Sequence, residues 1–216
     1  MNSDINYIIE IFGEAIGVNT KLEGLSIKEN KLKQTQYCNF WELMKENKHL
    51  RKMNATKTEV TDRVCLKISA YVKQTDIRLS DLNLSRNQIA AEGLIALADA
   101  LKVNRSITTL NLAQNNIREG GIVDLVEALK VNHTLQELSL SFNKINSQGL
   151  SDLSGFLAVN NTLKLLDISR NLFSDTGFVE FARGIALNKG IEVLNISKNK
   201  DVSDDIGLKE LANSLF

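Results

Sequence analysis

The stretch Leu135–Ile145, LQELSLSFNKI, decides how the rest of the chain is read. Its pattern is L-x-x-L-x-L-x-x-N-x-I. In an extended segment successive side chains point to opposite faces. Leu138 and Leu140 therefore fall on one face, and Glu137 and Ser139 on the other. That is the alternation of a half-buried strand. Asn143 follows as a residue suited to turning the chain.

The stretch recurs along the whole sequence. Equivalent segments open at Leu22, Leu50, Leu79, Ile107, Leu135, Leu163 and Ile191. They close at Asn30, Thr58, Asn87, Asn115, Asn143, Asn171 and Asn199. The intervals between openings are 28, 29, 28, 28, 28 and 28 residues. A fixed period of this length marks a stacked repeat array.

Between the strand segments lies a helical phrase. Gly93, Leu97, Ala100 and Leu101 state it most clearly. It returns with Gly121, Leu125, Ala128 and Leu129, with Gly149, Leu153, Phe156 and Leu157, and with Gly177, Phe181, Gly184 and Ile185. Apolar residues at i, i+3 and i+4 give each helix one buried stripe. The recurrent glycine predicts a close backbone approach at the helix start. The small residue before the last aliphatic (Ala100, Ala128, Gly184) predicts a helix seated close to the sheet. A second asparagine series, Asn19, Asn47, Asn104, Asn132, Asn160 and Asn188, ends the helices three residues before six of the seven openings.

Taken together, L-x-x-L-x-L-x-x-N-x-I…G-x-x-x-L-x-x-A-L-x-x-N over 28 residues resembles the ribonuclease-inhibitor class of leucine-rich repeats. The resemblance implies an α/β leucine-rich repeat solenoid, curved, with parallel strands on the concave face and helices on the convex face. It also implies a protein-binding role, as in the ribonuclease inhibitor, the activator of the Ran GTPase, NOD-like receptors, tropomodulin and bacterial effectors. Fold and function are separable, so the motif specifies the fold far better than the partner.

A solenoid is one continuous body whose units touch only their neighbours, so residues 1–216 are expected to form a single domain. Residues 1–21 are read as an N-terminal capping helix, with Ile5, Ile8, Ile9, Phe12, Ala15 and Ile16 on its apolar stripe. It is expected to cover the first strand layer. Residues 207–216 are read as a terminal helix whose Leu208, Leu211 and Leu215 pack on the last strand, leaving an edge at Phe216 for weak self-association. The acidic insert Asp201–Asp205 is read as a surface loop. Repeat two is degenerate, with Thr58 in place of the turn asparagine and Tyr71 in place of the small helix residue.

Composition bounds the function. Formal net charge is zero and 43% of residues are apolar. Neither nucleic acid nor membrane is an expected partner, because no excess charge attracts phosphate or anionic lipid and no apolar run approaches a membrane span of ~18 residues. The N-terminus carries Glu10 and Glu14 and no basic residue before Ile8, unlike a secretory leader. Cys38 and Cys65 are accordingly read as reduced thiols of a cytoplasmic protein; secretion into a host cell as an effector is the alternative. N-x-S/T triplets such as Asn104–Ser106 and Asn195–Ser197 follow from asparagine-rich turns.

No catalytic constellation or cofactor motif is present in the sequence. His49 and His133 stand apart in helix-to-strand connections, and the glycines are spread along the repeats rather than gathered in a phosphate-binding loop. The chain is therefore read as a non-enzymatic interaction module with no cofactor and no metal. The rivals are a GTPase activator, on analogy with the Ran activator, and a fragment of a larger protein. The outward strand positions carry the binding expectation. Most are small or polar, but Leu165 and Val193 are aliphatic and adjacent. With Asp167 and Asn195 beside them, and Phe142, Arg170 and Lys198 just before the turns, they form the candidate partner-binding set. Apolar residues within a charged rim suit an interface.

Overall fold

A computed structural model describes the backbone of residues 2–199 and 206–213, and the side chains of residues 10–199 and 209–213. Its elements alternate strictly. They are α1 (Asn2–Gly17), β1 (Gly24–Ser26), α2 (Gln34–Met44), β2 (Lys52–Asn54), α3 (Asp62–Val72), β3 (Asp81–Asn83), α4 (Ala91–Val103) and β4 (Thr109–Asn111). There follow α5 (Ile122–Val131), β5 (Glu137–Ser139), α6 (Ser147–Leu157), β6 (Leu165–Asp167), α7 (Asp175–Leu187), β7 (Val193–Asn195) and α8 (Ile206–Asn213). The seven strands form one parallel sheet in chain order.

Register aligns the central strand residue of every repeat, a leucine in all but repeat two, where it is Met53. Leu110 faces Leu138, Leu138 faces Leu166, and Leu166 faces Leu194. These side chains point inward onto the helices. In repeat five Leu138, Leu140, Ile145, Leu150, Leu153, Phe156 and Leu157 are all fully buried. Each such side chain contributes about 1.5–3 kcal/mol relative to its exposed state. Hydrogen bonding between repeats runs beyond the three-residue strands. Lys164 N donates to Gln136 O at 2.7 Å at one end, and Phe142 N donates to Ser169 O at 2.9 Å at the other. Paired strands lie ~4.8 Å apart, whereas packed helices need ~8–10 Å. The same stack must therefore bend, with the sheet on its inner side.

Two asparagine ladders stitch the repeats. In the turn ladder, Asn143 Nδ2 donates to Leu112 O at 2.8 Å and Leu140 O at 3.1 Å. Its Oδ1 accepts from Asn115 N at 3.1 Å and Ile117 N at 3.3 Å. Asn171 repeats the arrangement one unit along. In the helix-end ladder, Asn132 Nδ2 donates to Leu101 O at 2.7 Å, and its Oδ1 accepts from Thr134 N and Leu135 N. An amide suits both places because it donates and accepts at once. Backbone groups that the turns would otherwise bury unpaired are thereby satisfied.

Repeat two resolves into a packing solution. Thr58 Oγ1 donates to Ala55 O at 2.8 Å, replacing one amide bond of the ladder. A hydroxyl has no carbonyl arm to reach the preceding repeat. There Asn30 N turns to Ile27 O at a long 3.4 Å, and Asn30 itself is exposed. Tyr71 is fully buried, with its ring 6.0 Å from Trp41 and its hydroxyl donating to Asn47 O at 3.2 Å. Phe40 packs edge-on against the same indole at 5.9 Å. Aromatic bulk thus fills the space that small residues leave elsewhere.

The N-terminal helix stacks beside α2 in the helical layer, and Leu25 of β1 stays half-buried. Ala15 is exposed, and Phe12 stays partly exposed while stacking on Phe40 at 6.1 Å. Contact is made through Gly13, Ile16 and Gly17, all buried. A Cβ at Gly17 would lie 2.8 Å from Leu43 O, so the helix approaches too closely for larger residues. Ile5, Ile8 and Ile9 lie outside the described side chains. At the other end Leu211 of α8 is buried, and a hollow of about 330 Å³ remains between it, Ile185, Ile191, Leu194 and Ile196. Leu208, Leu215, Phe216 and the acidic insert lie outside the described side chains.

The recurrent glycines sit where helices meet the preceding repeat. A Cβ at Gly177 would lie 3.0 Å from Ser147 Cα. Gly121 adopts φ 81° against Ala91 O. Gly184 corrects the reading of the small helix residue. Its tight contact is Ser154 of α6, with Ser154 O 2.9 Å from an added Cβ, so smallness there serves helix–helix approach.

Candidate interaction surface

Because each repeat supplies one helix, only one face of the sheet is covered. The opposite face is lined by the residues flanking each central leucine, or Met53 in β2, and all of these are exposed or half-buried. At the N-terminal end it forms a shallow hollow of about 350 Å³ over Gly24, Ser26, Lys52, Asn54, Asp81 and Asn83. Leu165 and Val193 are direct register partners on β6 and β7. They present adjoining aliphatic surface, with Val193 52% exposed. Glu137 faces Leu165 from β5.

Asp167 and Asn195 are also register partners, but their oxygens turn back into the chain. Asp167 Oδ1 accepts from Ser169 N at 3.0 Å and Ser169 Oγ at 2.7 Å. Asn195 Oδ1 accepts from Ser197 N at 3.2 Å and Ser197 Oγ at 2.8 Å. Asn54, Asn83 and Asn111 do the same at their own turns. This third ladder forms because a short carboxamide or carboxylate reaches the amide two residues on. The polar lining of the sheet is therefore partly committed to turn structure.

Phe142, Arg170 and Lys198 occupy a row at the carboxyl ends of the strands. All three are exposed, and all have left-handed backbone, with φ of 57°, 55° and 58°. The row extends across the molecule through Glu29, Lys57, Arg86 and Gln114, whose φ values lie at 61°, 54°, 57° and 55°. The sequence singles out its C-terminal members, Phe142, Arg170 and Lys198, and not Glu29, Lys57, Arg86 or Gln114. No glycine or asparagine marks the conformation, so composition carried no signal. Only position relative to the turn asparagine could have revealed it.

Ionisable groups of perturbed character lie elsewhere. Burial pushes the Tyr71 hydroxyl and the Cys65 thiol well up from their ordinary values, with Asp76 and Asp62 adding to the respective shifts. Burial likewise raises Tyr37. Side-chain bonds from Lys45 and Lys67 hold Glu42 low, and one from Lys73 does so for Asp99. None of these groups belongs to the open sheet face. His133 is exposed and His49 half-buried. Both cysteines are free and buried. Among the described residues no three His, Cys, Asp or Glu side chains cluster to hold a metal ion, and no helix is long and apolar enough to cross a membrane.

Comparison with known proteins agrees with this geometry. Residues 79–98, 103–126, 131–154 and 159–182 match the sequence profile of the family described as Leucine Rich repeat. The chain folds as a leucine-rich repeat solenoid. No curated protein sequence matches it. Among solved structures, the leucine-rich solenoid is similar to leiomodin-1 actin-binding site 2, at 22% identity and a TM-score of 0.60, over 68% of this chain and 84% of that one. The tropomodulin C-terminal domain of Caenorhabditis elegans matches at 12% identity and a TM-score of 0.38, over 97% of this chain and 90% of that one.

Proposed function

We propose that this leucine-rich repeat solenoid is a non-catalytic interaction module that receives a protein partner on the C-terminal half of its concave face. The observation that carries the reading is the opposed pair Leu165 and Val193, aliphatic side chains held side by side on a sheet face that no helix covers. Apolar surface of this kind within a polar surround is where protein interfaces place their anchors. The strands span roughly 30 Å at ~4.8 Å spacing, an area suited to a protein surface and too open to enclose a small molecule. The 28-residue period with a full helix per repeat supports assignment to the ribonuclease-inhibitor class. The leiomodin-1 domain is an actin-binding site, but at 22% identity the likeness is one of fold and lends no partner. The reading places the module in the cytoplasm, where thiols such as Cys38 and Cys65 stay reduced.

The test is a double substitution, Leu165→Asp with Val193→Asp. Proteins captured from source-cell lysate by the wild-type chain are expected to be lost by this variant. Its circular dichroism and melting temperature should stay close to wild type, because neither side chain belongs to the buried core. Full retention of every captured protein by the folded variant would overturn the assignment of the site.

A further inference from the structure

The rim on either side of the turn asparagines divides into two electrostatic halves. In repeats one and two it carries Glu29 and Glu59 as well as Lys31 and Lys57, and Lys57 pairs with Glu29 at 3.3 Å. In repeats three to seven the same positions carry Arg86, Lys144, Arg170, Lys198 and Lys200, and no carboxylate. None of the first four forms an ion pair among the described residues; Lys144 Nζ donates to Asn116 Oδ1 at 3.0 Å. Between them stand Phe142 and Leu172, 52% and 38% exposed. Zero net charge for the whole chain conceals this segregation.

The backbone makes the choice of side chains informative. Arg86, Gln114, Phe142, Arg170 and Lys198 all hold φ between 55° and 58°. L-residues with a Cβ are disfavoured there, and glycine enters freely. The sequence nevertheless keeps a long side chain at each of these positions. Strain retained at a regular series of exposed positions is a feature of functional surfaces. The rim is also held in place before any partner arrives. Gln114 N, Phe142 N and Arg170 N donate to Ser141 O, Ser169 O and Ser197 O at 2.8–2.9 Å, so little ordering is left for binding to impose.

We infer that the rim of repeats three to seven docks an acidic, extended segment of a partner protein, with an apolar side chain of that segment seated on Phe142 and Leu172. The inference rests on the reading of this chain as a protein-interaction module and adds the chemistry of the partner. Arg86 and Lys198 lie four repeats apart, roughly 19 Å at ~4.8 Å per strand. An extended segment of about six residues covers that length at ~3.3 Å each. Its carboxylates meet cations at both ends and its apolar residue meets the middle.

A random peptide library displayed on phage, selected on the full chain, supplies the probe. Enriched peptides should be acidic with one large apolar residue. Synthesised and titrated by fluorescence anisotropy, they should bind about tenfold or more weakly to Arg170→Glu with Lys198→Glu, since two exposed attractions become repulsions, and weaken as salt is raised. Phe142→Gly should also weaken binding while raising the melting temperature by about 2–4 °C, an opposition that a purely structural role for Phe142 does not produce. A library that yields no binder, yields neutral or basic binders, or yields acidic binders indifferent to the charge reversal overturns the inference. Binders lost with Leu165→Asp and Val193→Asp yet kept by the reversal would sink the rim and leave the strand-face reading standing. Binders lost with the reversal alone would do the opposite.

Discussion

Replacing Asn143 by leucine should destabilise the fold by about 2–6 kcal/mol. The magnitude follows from what the amide serves. Asn143 is fully buried, and leucine matches its size closely enough to enter the same space. Its Nδ2 donates to three carbonyls, but each keeps another partner. Leu112 O still receives Asn115 Nδ2, Leu140 O still receives Asn171 Nδ2, and Ser141 O still receives Gln114 N. The loss falls on the two donors that Oδ1 accepts, Asn115 N and Ile117 N. Each buried donor left unpaired costs about 1–3 kcal/mol, which gives the stated range. Asn143→Thr should cost nearly as much, since a hydroxyl recovers only a carbonyl bond, as at Thr58, and leaves both donors unpaired. Asn30→Leu is the control. That residue is exposed and bonds only Ile27 O through its side chain, so its loss should cost under about 1 kcal/mol. Urea unfolding followed by circular dichroism reads all three. Coincident midpoints for Asn143→Leu and wild type would refute the claim that the amide holds the turn together.

Two further outcomes follow. A Cβ at Gly190 would sit 2.6 Å from the backbone of Asn161, so Gly190→Ala should lower stability by about 1–3 kcal/mol, whereas Gly24→Ala, whose nearest neighbour is Lys52 Cβ at 4.0 Å, should be neutral in the same thermal melt. Alkaline pH should weaken the fold, because burial raises Cys65 and Tyr71 above their ordinary values of 9.0 and 10.0. A raised folded-state value means the unfolded chain ionises first, so stability is intact below pH 9 and falls above it. Each group contributes a slope of about 1.4 kcal/mol per pH unit. Melts from pH 7 to 11 check this, and Cys65→Ala should delay the onset toward pH 10.

The parts of this structure that sequence revealed are those where one residue type has one physical use. Leu138 at the strand centre, Asn143 at the turn and Asn132 at the helix end each recur because few side chains can replace them there. The ends were less legible. Helical spacing placed Ala15 on the buried stripe of α1, yet the contact runs through Gly13 and Gly17, because close approach to Leu43 outweighs the apolar count. Tyr71 looked like a defect of repeat two. It fits because Trp41, one repeat earlier, contributes the facing ring, a pairing that inspection of one repeat cannot show.

The candidate surface was half legible for a related reason. Alternation identifies which strand residues face outward, so Leu165 and Val193 could be found, and the register confirms that they adjoin. Alternation says nothing of hydrogen bonding. Asp167 and Asn195 were outward by position and became turn-forming by chemistry. The left-handed row was hidden for the converse reason. Backbone geometry usually leaves a trace in composition because glycine or asparagine settles where φ is positive. Here those residues are withheld from the position, and glutamate, lysine, arginine, glutamine and phenylalanine stand there instead. The repeat therefore uses two kinds of position side by side. Where an amide must join neighbouring repeats, identity is nearly fixed. One residue earlier, the same turn fixes the backbone and leaves the side chain free to vary in charge and size. Substitution along that row can change surface charge with little disturbance of the core, which is why the proposed docking rests on the charge difference between its two halves and not on the asparagine ladder beside it.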